Sequence, residues 1–190
     1  MQCDHFDSGR CRSCTLMGVP YAQQLADKER RVADVLAPVA PDLLWVDPAR
    51  SPASHYRNKA KLVVGGTAGH PTLGILDHRG RGIAATFGPL HDLVARLGLE
   101  PYDVPARRGE LKYLLVTHSP GGEQLVRFVL RSQRHLDAVR AAIPALLDEL
   151  PSVRVVTANL HPEHKAVLEG DTEIALTPQT TLPMTVGDVT

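Results

Sequence analysis

Hydrophobic positions along the chain repeat with two different periods. Over residues 21–37, Leu25, the aliphatic stem of Lys28, Val32 and Leu36 recur near helical spacing, with charges on the other face. This predicts an amphipathic helix, stopped by Pro38 and Pro41. A stronger pattern covers residues 135–150, where Leu136, Val139, Ile143, Leu146 and Leu150 mark one face and Pro144 predicts a kink. A short helix is predicted over 90–97, closed by Gly98. The remaining apolar stretches are strand-sized: 43–47, 56–64, 72–77, 111–118, 124–131, 153–160, 166–169 and 172–176. Gly65-Gly66, Gly80-Arg81-Gly82, Ser119-Pro120-Gly121-Gly122 and Gly170-Asp171 read as turns between them. Strands at hairpin spacing with few helices between them predict an α+β fold, a mainly antiparallel sheet with a few packed helices.

Composition agrees. The 190 residues are 43% apolar and 22% charged, enough for a real core and for one domain or two small ones. No apolar run approaches the roughly 18–20 residues of a membrane span. The first fourteen residues carry Asp4, Asp7, Arg10 and Arg12 and no apolar block, so no secretory signal is expected and the predicted location is cytoplasmic. With one Trp, four Tyr and three Phe, base stacking is not expected to dominate any nucleic-acid contact. The zero net charge hides an uneven distribution: residues 61–134 hold ten Lys and Arg against six Asp and Glu, and residues 135–190 hold three against eight. A basic middle suits a phosphate backbone.

The three cysteines, Cys3, Cys11 and Cys14, all lie in the first fourteen residues, spaced C-x7-C-x2-C. An odd cluster at one end makes no disulfide framework. A C-x2-C turn places two thiolates on one side of a metal, and Cys3 can fold back as a third ligand. Zinc and iron–sulfur sites both usually take four ligands. No further Cys exists, so His5 or His91 is the candidate fourth ligand, or an outside group is. The C-x3-C-x2-C spacing of a radical-type cluster is not met.

Two basic clusters precede apolar strands. In Tyr56-Arg57-Asn58-Lys59-Ala60-Lys61, residues 57, 59 and 61 would share one strand face, at roughly 6.6 Å intervals, near the phosphate spacing of extended RNA. Arg107-Arg108-Gly109-Glu110-Leu111-Lys112 is the second. A solvated strand face explains the first cluster equally well, and pairing of Glu110 with Lys112 or a neighbour is the alternative for the second. The Gly-rich run 63–69 follows a strand but leads into His70-Pro71 and another strand, so it lacks the helix N-terminus a cofactor loop needs. His161-Pro162-Glu163-His164 reads as a loop with incidental histidines. Nucleophile elbow, P-loop and HExxH motifs are absent.

Taken together and in order, these segments resemble a known family. Met1-Gln2-Cys3 with Gly9-Arg10-Cys11-Arg12-Ser13-Cys14 is similar to the start of the bacterial 23S rRNA (uracil-C5)-methyltransferases that carry a 4Fe–4S cluster. Residues 57–61, 101–104, 108–113, 125–132 and 169–174 resemble that family's central domain. The resemblance implies a cysteine-rich iron–sulfur segment over 1–20 and a central RNA-contacting domain over 21–190. It also implies Cys3, Cys11 and Cys14 as cluster ligands, with 23S rRNA as partner and neither DNA nor membrane. Arg57, Lys59, Lys61, Arg108 and Lys112 are the candidates for its phosphates. In the family, S-adenosylmethionine binds a Rossmann-like domain, and a cysteine thiolate attacks C6 of the uracil so that C5 becomes nucleophilic.

The chain departs from the family pattern at two points. Gly88 stands near where the fourth cluster cysteine is expected, and residues 187–190 come before the methyl-donor domain would begin. The expectation is therefore a truncated or split methyltransferase with no catalytic residue of its own, inactive alone and completed by a separate chain. A stand-alone RNA-binding or zinc-binding module, or a remnant with an exposed docking face, is the alternative.

Overall fold

The computed structural model describes residues 3–9, 14–53, 56–74, 88–165 and 167–185. The chain divides into two compact units, Met1–Arg57 and Asn58–Thr190. The helix over residues 21–36 thus falls with the cysteine segment and not with the sheet.

The first unit holds α1 (Asp4–Asp7) and α2 (Tyr21–Leu36). Pro20 precedes α2, where its missing N–H costs nothing, and Gln24 Nε2 donates to the carbonyls of Leu16 (3.0 Å) and Val19 (2.7 Å), tying the entering chain to the helix. The phenol of Tyr21 accepts from Ser51 N at 3.0 Å, which anchors the chain beyond the helix. Residues 43–47, predicted as a strand, form no regular structure, and Leu44 is 91% exposed. Their apolar sequence suits a strand, but a strand exists only with a ladder partner, and Pro41, Pro48 and Pro52 remove donors around it.

The second unit is one six-stranded sheet with two helices. Its elements are β1 (Lys59–Thr67), β2 (His70–Gly74), α3 (Gly88–Arg96), β3 (Leu111–His118), β4 (Gln124–Leu130), α4 (Leu136–Glu149), β5 (Val153–Leu160) and β6 (Thr172–Ala175). The strand order is β2-β1-β3-β4-β5-β6. Every pairing is antiparallel except β4 with β5, which α4 joins as a crossover. The α+β, mainly antiparallel fold expected from the strand spacing is the observed one.

Alternation sorts the strands into two faces. Leu62, Val64, Leu73, Leu114, Val126, Phe128, Leu130, Val156 and Ala158 form the core face. Leu90, Leu93 and Val94 of α3 and Leu136, Val139, Ile143 and Leu146 of α4 cover it. Helix α4 runs on through Pro144, which lacks the N–H that would bond to the Arg140 carbonyl. On the opposite face lie Lys59, Lys61, Tyr113, Arg127, Thr157, Asn159 and Glu173, which the register places in adjacent rows.

Two turn expectations are corrected. Gly65-Gly66 lies inside β1, not in a turn, and the chain reverses at Ala68-Gly69. Gly66 sits at φ +78°, where a Cβ would stand 2.3 Å from the His70 carbonyl oxygen, so a glycine here serves an irregular strand end. The segment 167–169 is not a strand, and β6 pairs with β5 instead of forming a hairpin about Gly170-Asp171. The predicted turn at 80–82 lies outside the described residues. Residues 75–77, the end of a predicted strand, do too.

Candidate nucleic-acid interface

The row of cations expected at 57, 59 and 61 is shorter than the sequence suggests, because β1 begins at Lys59. Arg57 precedes it, in the first unit, with its guanidinium 5.7 Å from the ring centre of Tyr56. Lys59 Nζ donates to Glu169 Oε1 at 3.2 Å. Glu169 also pairs through Oε2 with Arg127 Nη1 at 2.9 Å, while Arg127 Nε reaches Glu173 Oε1 at 2.7 Å. Asn159 closes this network, donating to Glu173 Oε2 at 2.8 Å and accepting from Gly170 N at 2.7 Å. Burial pushes the Glu169 carboxyl upward, but the Lys59 hydrogen bond and the Arg127 charge outweigh it and hold it below the ordinary value. Lys59 is thus committed to an internal network. Lys61 lies with Nζ 4.8 Å from the ring centre of Tyr113, across the strand pair, and has no carboxylate partner among the described residues.

The second basic cluster splits in the same way. Lys112 is the extra residue of a bulge between the Leu111–Leu130 and Tyr113–Val129 pairs. The bulge turns its side chain inward. Its Nζ donates to the Glu163 carbonyl at 2.6 Å and stands 4.7 Å from the ring centre of Tyr102. Burial, with Arg131 nearby, holds this ammonium below the usual lysine range. Arg108, by contrast, is exposed and has no ion-pair partner among the described residues.

Arg108 lines a cleft of about 410 Å³ with Glu100, Gly109, Glu110, Arg131, Ser132, Arg134 and His135. The antiparallel pairing of Leu111 with Leu130 creates it, since residues before β3 and residues after β4 meet at one end of the sheet. Its floor is fixed by backbone bonds: Glu110 N and Leu111 N both donate to the Glu100 carbonyl, at 2.8 and 3.0 Å. Asp103 and Arg108 bridge each other, and Asp103 Oδ1 accepts from Ala106 N at 2.8 Å. Gly109 sits at φ +103°, and a Cβ there would lie 2.2 Å from the Pro101 carbonyl oxygen. Arg131, Arg134 and Glu110 escaped the sequence reading as site residues. The run Arg131-Ser132 reads as a strand end until the register brings it beside Arg108.

His161 and His164 part company in the structure. His164 Nδ1 is 3.0 Å from the Tyr102 hydroxyl, while His161 is 2% exposed and its Nε2 has no hydrogen-bond partner among the described residues.

Of the cysteines, Cys3 at the start of α1 is half-buried and Cys14 is exposed, both as free thiols, and Cys11 lies outside the described residues. Among the described residues no group of three or more His, Cys, Asp and Glu side chains is placed to hold a metal ion. His91, one candidate fourth ligand, has both ring nitrogens engaged: Nδ1 lies 3.0 Å from Asp92 Oδ1 and Nε2 3.0 Å from the Pro71 carbonyl. The Asp92 hydrogen bond raises the imidazole pKa, against a smaller opposing effect of burial. The side chain of His5, the other candidate, lies outside the described residues.

The 23S rRNA (uracil(747)-C(5))-methyltransferase RlmC of Yersinia enterocolitica is 42% identical over 196 residues, which is 96% of this chain and 52% of that protein. The enzyme of the same name from Salmonella dublin is 43% identical over 202 residues, 100% of this chain and 54% of its own length. The chain is a homologue of the 23S rRNA (uracil-C5)-methyltransferases. It spans about half the length of these relatives. No sequence-family profile matches it. Among solved structures, the tRNA (uracil-54, C5)-methyltransferase of Pyrococcus abyssi, crystallised with S-adenosyl-L-homocysteine, superimposes with a TM-score of 0.56. It shares 16% identity and covers 90% of this chain and 46% of its own. That likeness concerns the fold alone. No helix among the described residues is long and apolar enough to cross a membrane.

Proposed function

We propose that this chain is the RNA-contacting portion of an rRNA uracil-C5 methyltransferase acting on 23S rRNA with S-adenosylmethionine as methyl donor. The observation that carries the reading is the 42–43% identity sustained over essentially the whole chain to enzymes of that name. Of the five candidate cations, Arg57, Lys61 and Arg108 are those left with charge to spare for phosphate. Lys59 and Lys112 shape the surface through Glu169 and the Glu163 carbonyl.

The donor site and the nucleophile belong to residues other than these. The Gly-rich run 63–69 is the end of β1 and its turn into β2, so a strand and not a helix follows it, and no cysteine follows Cys14. Alone, the chain holds RNA and leaves methylation to a donor-binding domain.

Cys3, Cys11 and Cys14 would hold three corners of a 4Fe–4S cluster, and their chemistry fits, since Cys3 and Cys14 are free thiols. The cluster would fold the segment ahead of α2. Its fourth corner lacks a cysteine, as Gly88 opens α3.

Salt-dependent binding of an rRNA hairpin tests the assignment. Neutralising Arg57, Lys61 and Arg108 together should flatten the log–log salt slope by roughly 2. Lys59→Ala should leave the slope nearly unchanged. An unaltered slope in the triple variant removes these residues from the interface.

A further inference from the structure

The cleft at the end of the sheet has a charge pattern that a phosphate site does not need. Two carboxylates, Glu100 and Glu110, line it together with three guanidiniums, those of Arg108, Arg131 and Arg134. Among the described residues none of these five pairs with another across the cleft. Glu110 is only 7% exposed. Its Oε1 accepts two hydrogen bonds, from Ser132 N at 2.7 Å and Ser132 Oγ at 2.8 Å. Its Oε2 accepts none from any described residue. That oxygen is not sealed from solvent and belongs to a residue that lines the cleft, so the donors of a ligand can reach it and make a charge-assisted hydrogen bond. Arg131 is steadied by its Nη1 contact with the Arg107 carbonyl at 3.3 Å, while Arg108 and Arg134 stand exposed at the rim.

A ligand matching this pattern carries adjacent N–H donors for a carboxylate and an anion for guanidiniums. Among nucleotides that is guanosine phosphate. The Watson–Crick edge of guanine offers N1–H and N2–H together, whereas adenine and cytosine place a ring acceptor beside their amine and uracil offers one N–H between two carbonyls. The volume of about 410 Å³ falls in the range of small-ligand sites. The cleft is lined by one aromatic ring, the His135 imidazole, so that ring or an arginine plane would supply the stacking. We propose that this cleft takes one unstacked guanosine of single-stranded RNA, with the base edge on Glu110 and the phosphate on Arg108 and Arg134. The proposal deepens the RNA-contacting reading and rests on it.

Fluorescence anisotropy of the whole chain with short oligoadenylates tests it, using one set with a central guanosine, one with inosine and one with adenosine. Guanosine should bind about tenfold more tightly than adenosine, a charged hydrogen bond's worth, with inosine between because it lacks the N2 amine. Glu110→Gln should erase that preference, and Arg108→Ala should weaken all three RNAs alike. If Glu110→Gln does not fold, the wild type is tested with a central N1-methylguanosine, which lacks the N1–H that Glu110 would accept and must lose the guanosine increment. Equal affinity for the three RNAs overturns the proposal, as does a preference that survives Glu110→Gln or N1-methylation of the guanosine. So does competition by inorganic phosphate as effective as that by guanosine monophosphate. Salt-dependent RNA binding without a guanosine preference sinks the subsite and leaves the RNA reading standing; guanosine monophosphate binding without RNA binding does the reverse.

Discussion

Glu169 shows how a single residue decides which cations are free. It ties Lys59 and Arg127 into one network on the face of the sheet opposite the two helices, and those two cations hold its carboxyl below the usual 4.5. A depressed folded-state value means the unfolded chain takes up protons first as pH falls. The contribution of Glu169 is therefore complete above 4.5 and is lost as pH drops through the lower folded value. Urea midpoints of the wild type and Glu169→Gln should differ at neutral pH and converge in acid; a gap independent of pH would mean the pairing is energetically idle. The difference should be modest, since the pair is partly exposed. Gly109 acts at the same scale. With φ +103° and the Pro101 carbonyl in the way, Gly109→Ala should distort the cleft and destabilise the fold by more than about 1 kcal/mol, measurable as a lowered urea midpoint.

At the level of elements, the β1–β2 hairpin offers an internal control. Gly66 and Gly69 lie three residues apart. A Cβ on Gly66 would meet the His70 carbonyl at 2.3 Å, whereas one on Gly69 meets nothing within 4 Å. Gly66→Ala should cost more than about 1 kcal/mol and Gly69→Ala close to nothing in equilibrium unfolding. Equal costs would show that the strand end is softer than its geometry implies. The core behind these strands depends on Phe128, fully buried between the sheet and its covering helices. Phe128→Ala should cost about 3–5 kcal/mol.

The whole molecule is two compact units carrying different chemistry: thiols in Met1–Arg57, and the sheet with its arginine-lined cleft in Asn58–Thr190. If donor binding belongs to other residues, calorimetry of the 190-residue chain with S-adenosylmethionine should detect no site. One tight site would overturn that division of labour. Anaerobic reconstitution should yield iron and sulfide with a broad visible absorption band, and Cys14→Ser should abolish it. Stoichiometric zinc without sulfide would replace the cluster by a zinc site.

Much of this protein is legible in its sequence because the signals are local. The helical stripe of Leu136, Val139, Ile143 and Leu146, the strands 111–118 and 153–160, and the cysteine spacing need only neighbours along the chain. The ordered matches to uracil-C5 methyltransferases are local too. Strand pairing is not. Residues 43–47 have strand chemistry but no partner, and Gly65-Gly66 has turn chemistry but lies in a ladder. The same non-local physics decides the site. Lys59 and Arg108 look alike in sequence, yet the fold brings Glu169 to the first, 110 residues away, and leaves the second free. Local spacing determines which elements form; only the register of β3 against β4 determines that Arg108, Glu110, Arg131 and Arg134 share a cleft, because hydrogen-bond ladders join residues distant along the chain.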